Sequence, residues 1–266
     1  MPDLTRPEGP KIIAVANQKG GVGKTTTTIN LSAALAEAGH RVLVVDLDPQ
    51  GNASTGLGIE QSDREFTTYE LLLDDIDLKD VIQASEIKNL AIIPATVDLS
   101  SADLELVSNE KRSFLLHDAL RQTQIDEFEF DFIFIDCPPS LNILTVNAMI
   151  AAHTVLVPLQ SEFFALEGLS QLMLTIREVR QSGNKNLRIE GVVLTMYDKR
   201  NNLSQQVEQD ARDNLGDLVF KTVIPRNVRL SEAPSFAMSV LKYDSASKGA
   251  IAYRTLAQEL IEKNKL

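Results

Sequence analysis

Seven consecutive residues, Lys19-Gly20-Gly21-Val22-Gly23-Lys24-Thr25, hold three glycines, two lysines and a hydroxyl. Without a Cβ, Gly20, Gly21 and Gly23 let the backbone turn sharply and aim successive N–H groups at one anion. The helix that follows would add the positive end of its dipole. Lys24 brings a full charge, and the Thr25 hydroxyl is a small hard oxygen of the kind Mg²⁺ takes. From Lys19 through Val22 to Thr26 the segment therefore reads as a cradle for polyphosphate, with Lys24 beside the β and γ phosphates.

Carboxylates stand nearby. Asp46 and Asp48 lie two apart on an extended stretch, so both face the same side, and such a pair is costly to bury unless it meets Mg²⁺ or water. Asp46 reads equally as an indirect Mg²⁺ partner or as a helix cap. Asp136 ends the apolar run Phe132 to Ile135, the pattern of a central parallel strand that delivers one carboxylate to the ligand end of a sheet. Cys137 follows, and as the one cysteine of the chain it cannot build a thiolate metal set, so it reads as a small buried side chain.

The elements that must position these groups alternate. Ile12, Ile13, Val15 and Ala16 mark a strand buried on both faces, and Leu31, Leu35 and Ala38 mark a helix that Gly39 stops. Arg41 to Asp48 is a second strand and Gln50 to Gly58 a loop. Thr67 to Leu73 and Leu78 to Ala84 are short amphipathic helices, for packing or dimer contact. Leu90 to Pro94 is a brief strand, and Leu99 to Thr123 is mostly helical with a solvated charged face. Strands at Thr154 to Leu159 and Arg188 to Met196 flank a helix from Glu162 to Ser182. The segments 195–202 and 223–235 each follow a strand and so belong at the ligand end. Ala246 to Lys263 is a closing helix. The expected fold is α/β, a doubly wound, mostly parallel sheet flanked by helices. Residues 1–10 form a disordered lead and 11–266 a single domain, with no repeat and no linker.

Composition narrows the class. A chain of 266 residues can bury a large core. One cysteine excludes an internal disulfide and suits a reducing cytoplasm. The start MPDLTRPEGP lacks the apolar centre of a signal peptide, and no apolar run approaches the ~20 residues of a membrane span. The formal charge is −11, yet residues 185–254 carry 11 Lys+Arg against 8 Asp+Glu, whereas residues 1–184 carry 13 against 27. A confined anion-binding face on an acidic molecule fits that distribution.

The common phosphate-loop spacing G-x-x-x-x-G-K-[ST] is altered here, because Gln18 stands at its first position. K-G-G-V-G-K-T with its second lysine, Lys19, resembles the deviant Walker A motif of the ParA/MinD family of dimerising P-loop ATPases. V-V-D-L-D-P-Q-G-N, Val44 to Asn52, is most similar to the ParA (Soj) chromosome-partitioning branch. The resemblance covers nearly the whole chain. It implies ATP and Mg²⁺ as cofactors and catalytic roles for Lys19, Lys24 and Asp48. Lys19 would reach the phosphates held by the other subunit of an ATP-dependent homodimer, and Asp48 would orient the attacking water. Asp136 would match the Walker B carboxylate and hold Mg²⁺ through water, together with Thr25. Pro225 would supply a flat contact and Asn227 a hydrogen bond to the base, weighed here against plain loop geometry. Arginines matching Arg200 and Arg229 bind DNA without sequence preference, and Lys199, Lys242 and Lys248 lie near them in sequence. No helix-turn-helix or zinc pattern is present, so phosphate contacts would carry affinity.

By the same resemblance, hydrolysis is slow until a ParB-like centromere-binding partner acts, the cargo is a chromosome or a plasmid, and the location is cytoplasmic and nucleoid-associated. The closing helix has no aromatic residue and balanced charge in QELIEKNKL, which argues against stable membrane association. The competing readings are a MinD-like or cargo-positioning ATPase, an iron-sulfur ATPase disfavoured by the single cysteine, and a small-molecule kinase or ligase.

Overall fold

Period-two alternation along the buried strands sorts their side chains onto two faces of one sheet, and each face builds its own core. In the computed structural model, which describes residues 9–74, 76–106, 111–121, 124–162 and 165–264, seven strands form that sheet. They are β1 (Lys11–Val15), β2 (Val42–Asp46), β3 (Gln83–Ala84), β4 (Leu90–Ile93), β5 (Phe132–Asp136), β6 (Thr154–Gln160) and β7 (Arg188–Thr195). Their order is β3-β4-β2-β5-β1-β6-β7, and every pair is parallel except β3 with β4. Ile13, Val15, Val42, Val44, Phe132 and Phe134 face the helices α1 (Lys24–Glu37) and Lys248–Asn264. Ile12, Ala14, Leu43, Val45, Ile133 and Ile135 face Ile143–Ala151 and Ala165–Ser182. Helices therefore cover both sides, as nearly continuous apolar strands require. Among the described residues no helix is long and apolar enough to cross a membrane.

The order places the site. From β1 the chain crosses past β5 to reach β2, whereas from β5 it crosses β1 to reach β6, so connections leave the middle of the sheet in opposite directions. A crevice opens at the carboxyl ends of strands at such a point. Register brings Asp136 opposite Val15 on one side and Asp46 on the other, so both carboxylates end their strands beside the exit of β1.

Four segments differ from expectation. Gln50 to Gly58, expected as a loop, holds the short helix Asn52–Gly56, entered through Gly51 at a φ of 61°. Leu78 to Ala84 is helical only over Leu78–Val81; Ile82 is extended, and Gln83–Ala84 pairs with β4, where the ladder supplies backbone partners that one helical turn cannot. Within 99–123 the described helices are Ala102–Glu105 and Leu115–Ala119; residues 107–110 and 122–123 lie outside the described residues, as do 1–8 of the expected lead and 163–164. No regular strand precedes Val223. Phe220 N and Ile224 N donate to Val192 O and Leu194 O of β7, but between them Lys221 N and Thr222 N donate to the Glu259 carboxylate at 2.7 and 3.0 Å. That diversion reduces the pairing to bridges at Val219 and Pro225.

Candidate functional site

Asn17 anchors the start of the glycine turn. Its Nδ2 donates to Pro158 O at 2.7 Å and its Oδ1 accepts from Lys19 N at 3.1 Å, which ties the loop to β6. Gly21 and Gly23 have φ of 75° and 88°, in the left-handed region open to glycine at no steric cost. A Cβ on Gly23 would lie 3.8 Å from Thr195 Cγ2, an ordinary contact, so conformation and not space requires the glycine. Thr195, the last residue of β7, donates from Oγ1 to Val22 O at 2.8 Å and holds the loop from the other side.

Lys24 lies along the turn with Nζ donating to Lys19 O at 3.1 Å. Burial lowers its pKa, and the charge of Asp136 opposes that shift. Asp136 is wholly buried: Oδ2 accepts from Thr25 Oγ1 and Oδ1 from Thr28 Oγ1, both at 2.8 Å. Burial drives its pKa up, the neighbouring Asp46 adds to the rise, and the two threonine hydroxyls work against it. Asp46 is also wholly buried. Its Oδ2 accepts from Ser54 N at 2.9 Å and Ser54 Oγ at 2.7 Å, and its Oδ1 accepts from Asp48 N at 3.1 Å. Ser54 lies in the helix α2 (Asn52–Gly56), so Asp46 accepts from the first turn of that helix. Asp48, 7% exposed, accepts from Gln50 N at 3.0 Å.

The donor set fits Mg²⁺. Thr25 and Asp136 present hard oxygens in direct contact at the mouth of an anion cradle, and a divalent cation beside Asp136 would relieve the repulsion between two buried carboxylates. Among the described residues no cluster of three His, Cys, Asp or Glu side chains could hold a metal unaided. Cys137 is a free, buried thiol whose pKa burial pushes far up, which suits a small core side chain.

On the far side of Gly23 a cavity of about 530 Å³ is lined by Thr26, Pro225, Asn227, Leu230 and Tyr253, among others. Its size and its mix of apolar walls with a few polar groups suit a planar heterocycle. Asn227 Oδ1 already accepts from Arg229 N at 2.9 Å and caps the turn Val228–Glu232, so loop geometry accounts for half of this amide. Lys19, by contrast, points outward: its side chain is 42% exposed and ion-paired with Glu162 of its own chain.

The five basic candidates do not form one free cluster. Arg200 forks onto Asp198 with bonds of 3.1 and 3.0 Å, Arg229 pairs with Glu232 at 2.8 Å and Asp244 at 3.2 Å, and Lys242 pairs with Glu86. Lys199 and Lys248 are exposed. Residues that the sequence did not single out do much of the positioning: Asn17, Thr28, Ser54, Glu162, Thr195 and Tyr253, whose hydroxyl meets Thr27 Oγ1 at 3.2 Å. Thr28 alone had a local signal, since it lies three residues after Thr25 on the same helix face.

A buried strand, a glycine turn, a helix amino terminus and an acidic neighbouring strand together define the P-loop NTPase class. Residues 10–189 match the AAA_31 family model, described as an AAA domain. The chain is 54% identical over 255 residues to the chromosome partitioning protein ParA of Caulobacter vibrioides, spanning 96% of this chain and 95% of that protein. It is 53% identical over 250 residues to the sporulation initiation inhibitor protein Soj of Bacillus subtilis, spanning 94% and 98%. A crystal structure of cobyrinic acid a,c-diamide synthase from Mycobacterium smegmatis with bound ADP and magnesium superposes with a TM-score of 0.83 at 39% identity, covering 96% of each chain. The chain belongs to the ParA/Soj family of chromosome-partitioning proteins.

Proposed function

We propose that this protein is an ATP hydrolase whose Mg²⁺-ATP-bound form dimerises, binds DNA without sequence preference, and drives chromosome or plasmid partition with a ParB-type partner in the cytoplasm, on the nucleoid. The observation that carries the reading is the contact of Thr25 with Asp136 at the mouth of the glycine turn, with Lys24 alongside and the apolar cavity beyond. Backbone N–H groups from Gly20 to Thr25 would take the phosphates, and Pro225 and Asn227 the base. Thr25 would ligate Mg²⁺ directly and Asp136 through water; the ion supplies charge neutralisation on the phosphates when bound. Lys24 leaves Lys19 O for the phosphate oxygens, an exchange favoured because its buried ammonium gains an anionic partner. Asp48, held by Gln50 N, orients water rather than removing its proton.

Lys19 is the residue that makes a pair necessary. Its side chain is partly exposed and paired with Glu162, and in a face-to-face dimer it would offset charge developing on the partner's phosphate. Lys19→Ala is expected to abolish DNA- and partner-stimulated hydrolysis while ATP still binds. Unchanged stimulated turnover, with turnover measured as phosphate release, defeats the assignment. The Mycobacterium smegmatis structure is named a synthase, which supports a second reading, a ligase on the same fold. Turnover that follows an added metabolite and ignores DNA would favour that reading. Nucleotide-dependent sedimentation with liposomes and not with DNA would favour a MinD-like positioning ATPase.

A further inference from the structure

Between Asp48 and β4 the chain forms a lobe, residues 49–64, that ends on a guanidinium without a carboxylate. Arg64 follows the turn Gln61–Asp63 and folds back into the lobe. Its Nη1 donates to Ala95 O at 3.0 Å, its Nη2 to Ile59 O and Thr55 Oγ1, both at 2.8 Å, and its Nε to Ile59 O at 3.3 Å. Among the described residues it has no ion-pair partner within 4.0 Å. Arg41, Arg212 and Arg254 each rest on a carboxylate, whereas the half-buried Arg64 spends all its bonds on three neutral oxygens. Burial lowers its pKa, and the charge of Asp46 opposes that shift.

Water could satisfy those three oxygens equally well, so their need for donors does not by itself call for an arginine. What the guanidinium adds is a rigid planar fork that ties the lobe to the end of β4, 31 residues away in the chain. It also packs on Gly51, where a Cβ would collide with Arg64 Nη1 and fall 2.8 Å from Ala95 O; glycine is needed there for closeness as well as for its φ of 61°. From Gly51 the contact runs directly to Asp48. Gly51 N donates to Asp48 O at 2.8 Å, while Gly51 O accepts from Thr55 N at 3.0 Å and from Thr55 Oγ1 at 3.1 Å, the hydroxyl that Arg64 itself holds. We propose that Arg64 is a positioning residue for ATP hydrolysis: it clamps the lobe between Asp48 and β4, and through Gly51 it fixes where the Asp48 carboxylate stands, without touching the nucleotide. The inference rests on the role given to Asp48 above.

The experiment measures, on the full chain, single-turnover phosphate release at saturating Mg²⁺-ATP and, separately, equilibrium binding of a fluorescent ATP analogue. Arg64→Ala is expected to slow release about tenfold with affinity within about threefold of wild type, because displacing a water-orienting group costs rate and leaves the phosphate cradle intact. Arg64→Lys keeps the charge and the reach but not the fork, and is expected to recover part of the rate. Millimolar methylguanidinium is expected to raise release by Arg64→Ala and to leave the wild type unchanged. A residue that only stabilises the lobe predicts rate and affinity falling together, with no response to the added cation. Wild-type release by Arg64→Ala overturns the proposal, as does an equal loss of rate and affinity, or a rate loss that neither lysine nor methylguanidinium relieves. Where Arg64→Ala does not fold, Arg64→Lys and Arg64→Gln carry the same split between rate and affinity. Failure of the underlying reading shows elsewhere: no phosphate release by the wild type would remove the hydrolase, and wild-type release by Asp48→Asn would remove the role of Asp48, whatever the Arg64 variants do.

Discussion

Ser54 is the residue through which the acidic strand end reaches the loop of Asp48. Its hydroxyl donates to Asp46 at 2.7 Å and accepts from Ala95 N at 3.0 Å, so one oxygen joins the ends of β2 and β4 to α2. Asp48 hangs from this arrangement by its own N–H on Asp46 and by Gly51 N on its carbonyl at 2.8 Å. Ser54→Ala removes the hydroxyl and leaves Ala95 N and one buried carboxylate bond unmet, a cost of about 1–3 kcal/mol. The expected outcome is roughly tenfold slower hydrolysis, because Asp48 loses its fixed position, with ATP affinity within about threefold of wild type because the cradle is untouched. Single-turnover rates beside equilibrium nucleotide binding check the split; equal losses in both would make Ser54 a general stability residue. None of this was legible in the sequence, where Ser54 sits in a polar loop stretch. The cradle was legible because all its groups fall within seven positions, whereas Ser54 meets Ala95 across 41 residues and Thr195 meets Val22 across 173, and no local spacing encodes such contacts.

At the scale of elements, the walls of the cavity beyond Gly23 depend on how the helix Lys248–Asn264 meets the turn Val228–Glu232. Gly249, in the first turn of Lys248–Asn264, lies so close to that turn that a Cβ would fall 2.7 Å from Leu230 Cγ. Leu230 lines the cavity, so the glycine sets its width. Farther along, the turn Val240–Tyr243 is fastened to α1 by Asn30, whose Oδ1 accepts from Val240 N at 2.7 Å. Alanine favours a helix over glycine by about 1 kcal/mol, so a roomy site would be stabilised by Gly249→Ala. Overpacking of about 1–3 kcal/mol opposes that gain, and the net expectation is a lower denaturation midpoint together with nucleotide affinity reduced several-fold. Urea titration fixes the sign, and a stabilised variant with unchanged affinity would disprove the contact. The main strands were readable from uninterrupted apolar runs. The irregular course of 219–225 was not, because it is decided by the Glu259 carboxylate, 37 residues beyond Thr222.

For the whole molecule, the two poles of the sheet do different work. The carboxyl ends of the strands gather nucleotide groups, and the amino ends gather the charges that close the fold. Glu190 of β7 is 3% exposed; its carboxylate pairs with Lys11 of β1 at 3.2 Å and accepts from Asn264 at 3.0 Å. Lys263 Nζ donates to the Glu190 carbonyl at 2.5 Å, so the last turn of the chain is bound to the first strand through one residue. Burial pushes the Glu190 pKa up, but the nearby Thr154 hydroxyl, the Lys11 charge and the Asn264 amide outweigh it, and the net shift is downward. A carboxyl whose folded pKa lies below its unfolded value stabilises the fold above the unfolded pKa, about 4.3, and loses that contribution as pH falls through the folded value. Glu190→Gln keeps the shape and removes the charge, leaving Lys11 without its anion. The variant is therefore expected to be less stable than wild type at pH 7, with urea midpoints that converge as pH drops below about 4.3. A gap that stayed constant from pH 7 to pH 3 would mean that Glu190 contributes packing alone, and that the charge of this buried carboxylate does not hold the carboxy-terminal helix to the sheet.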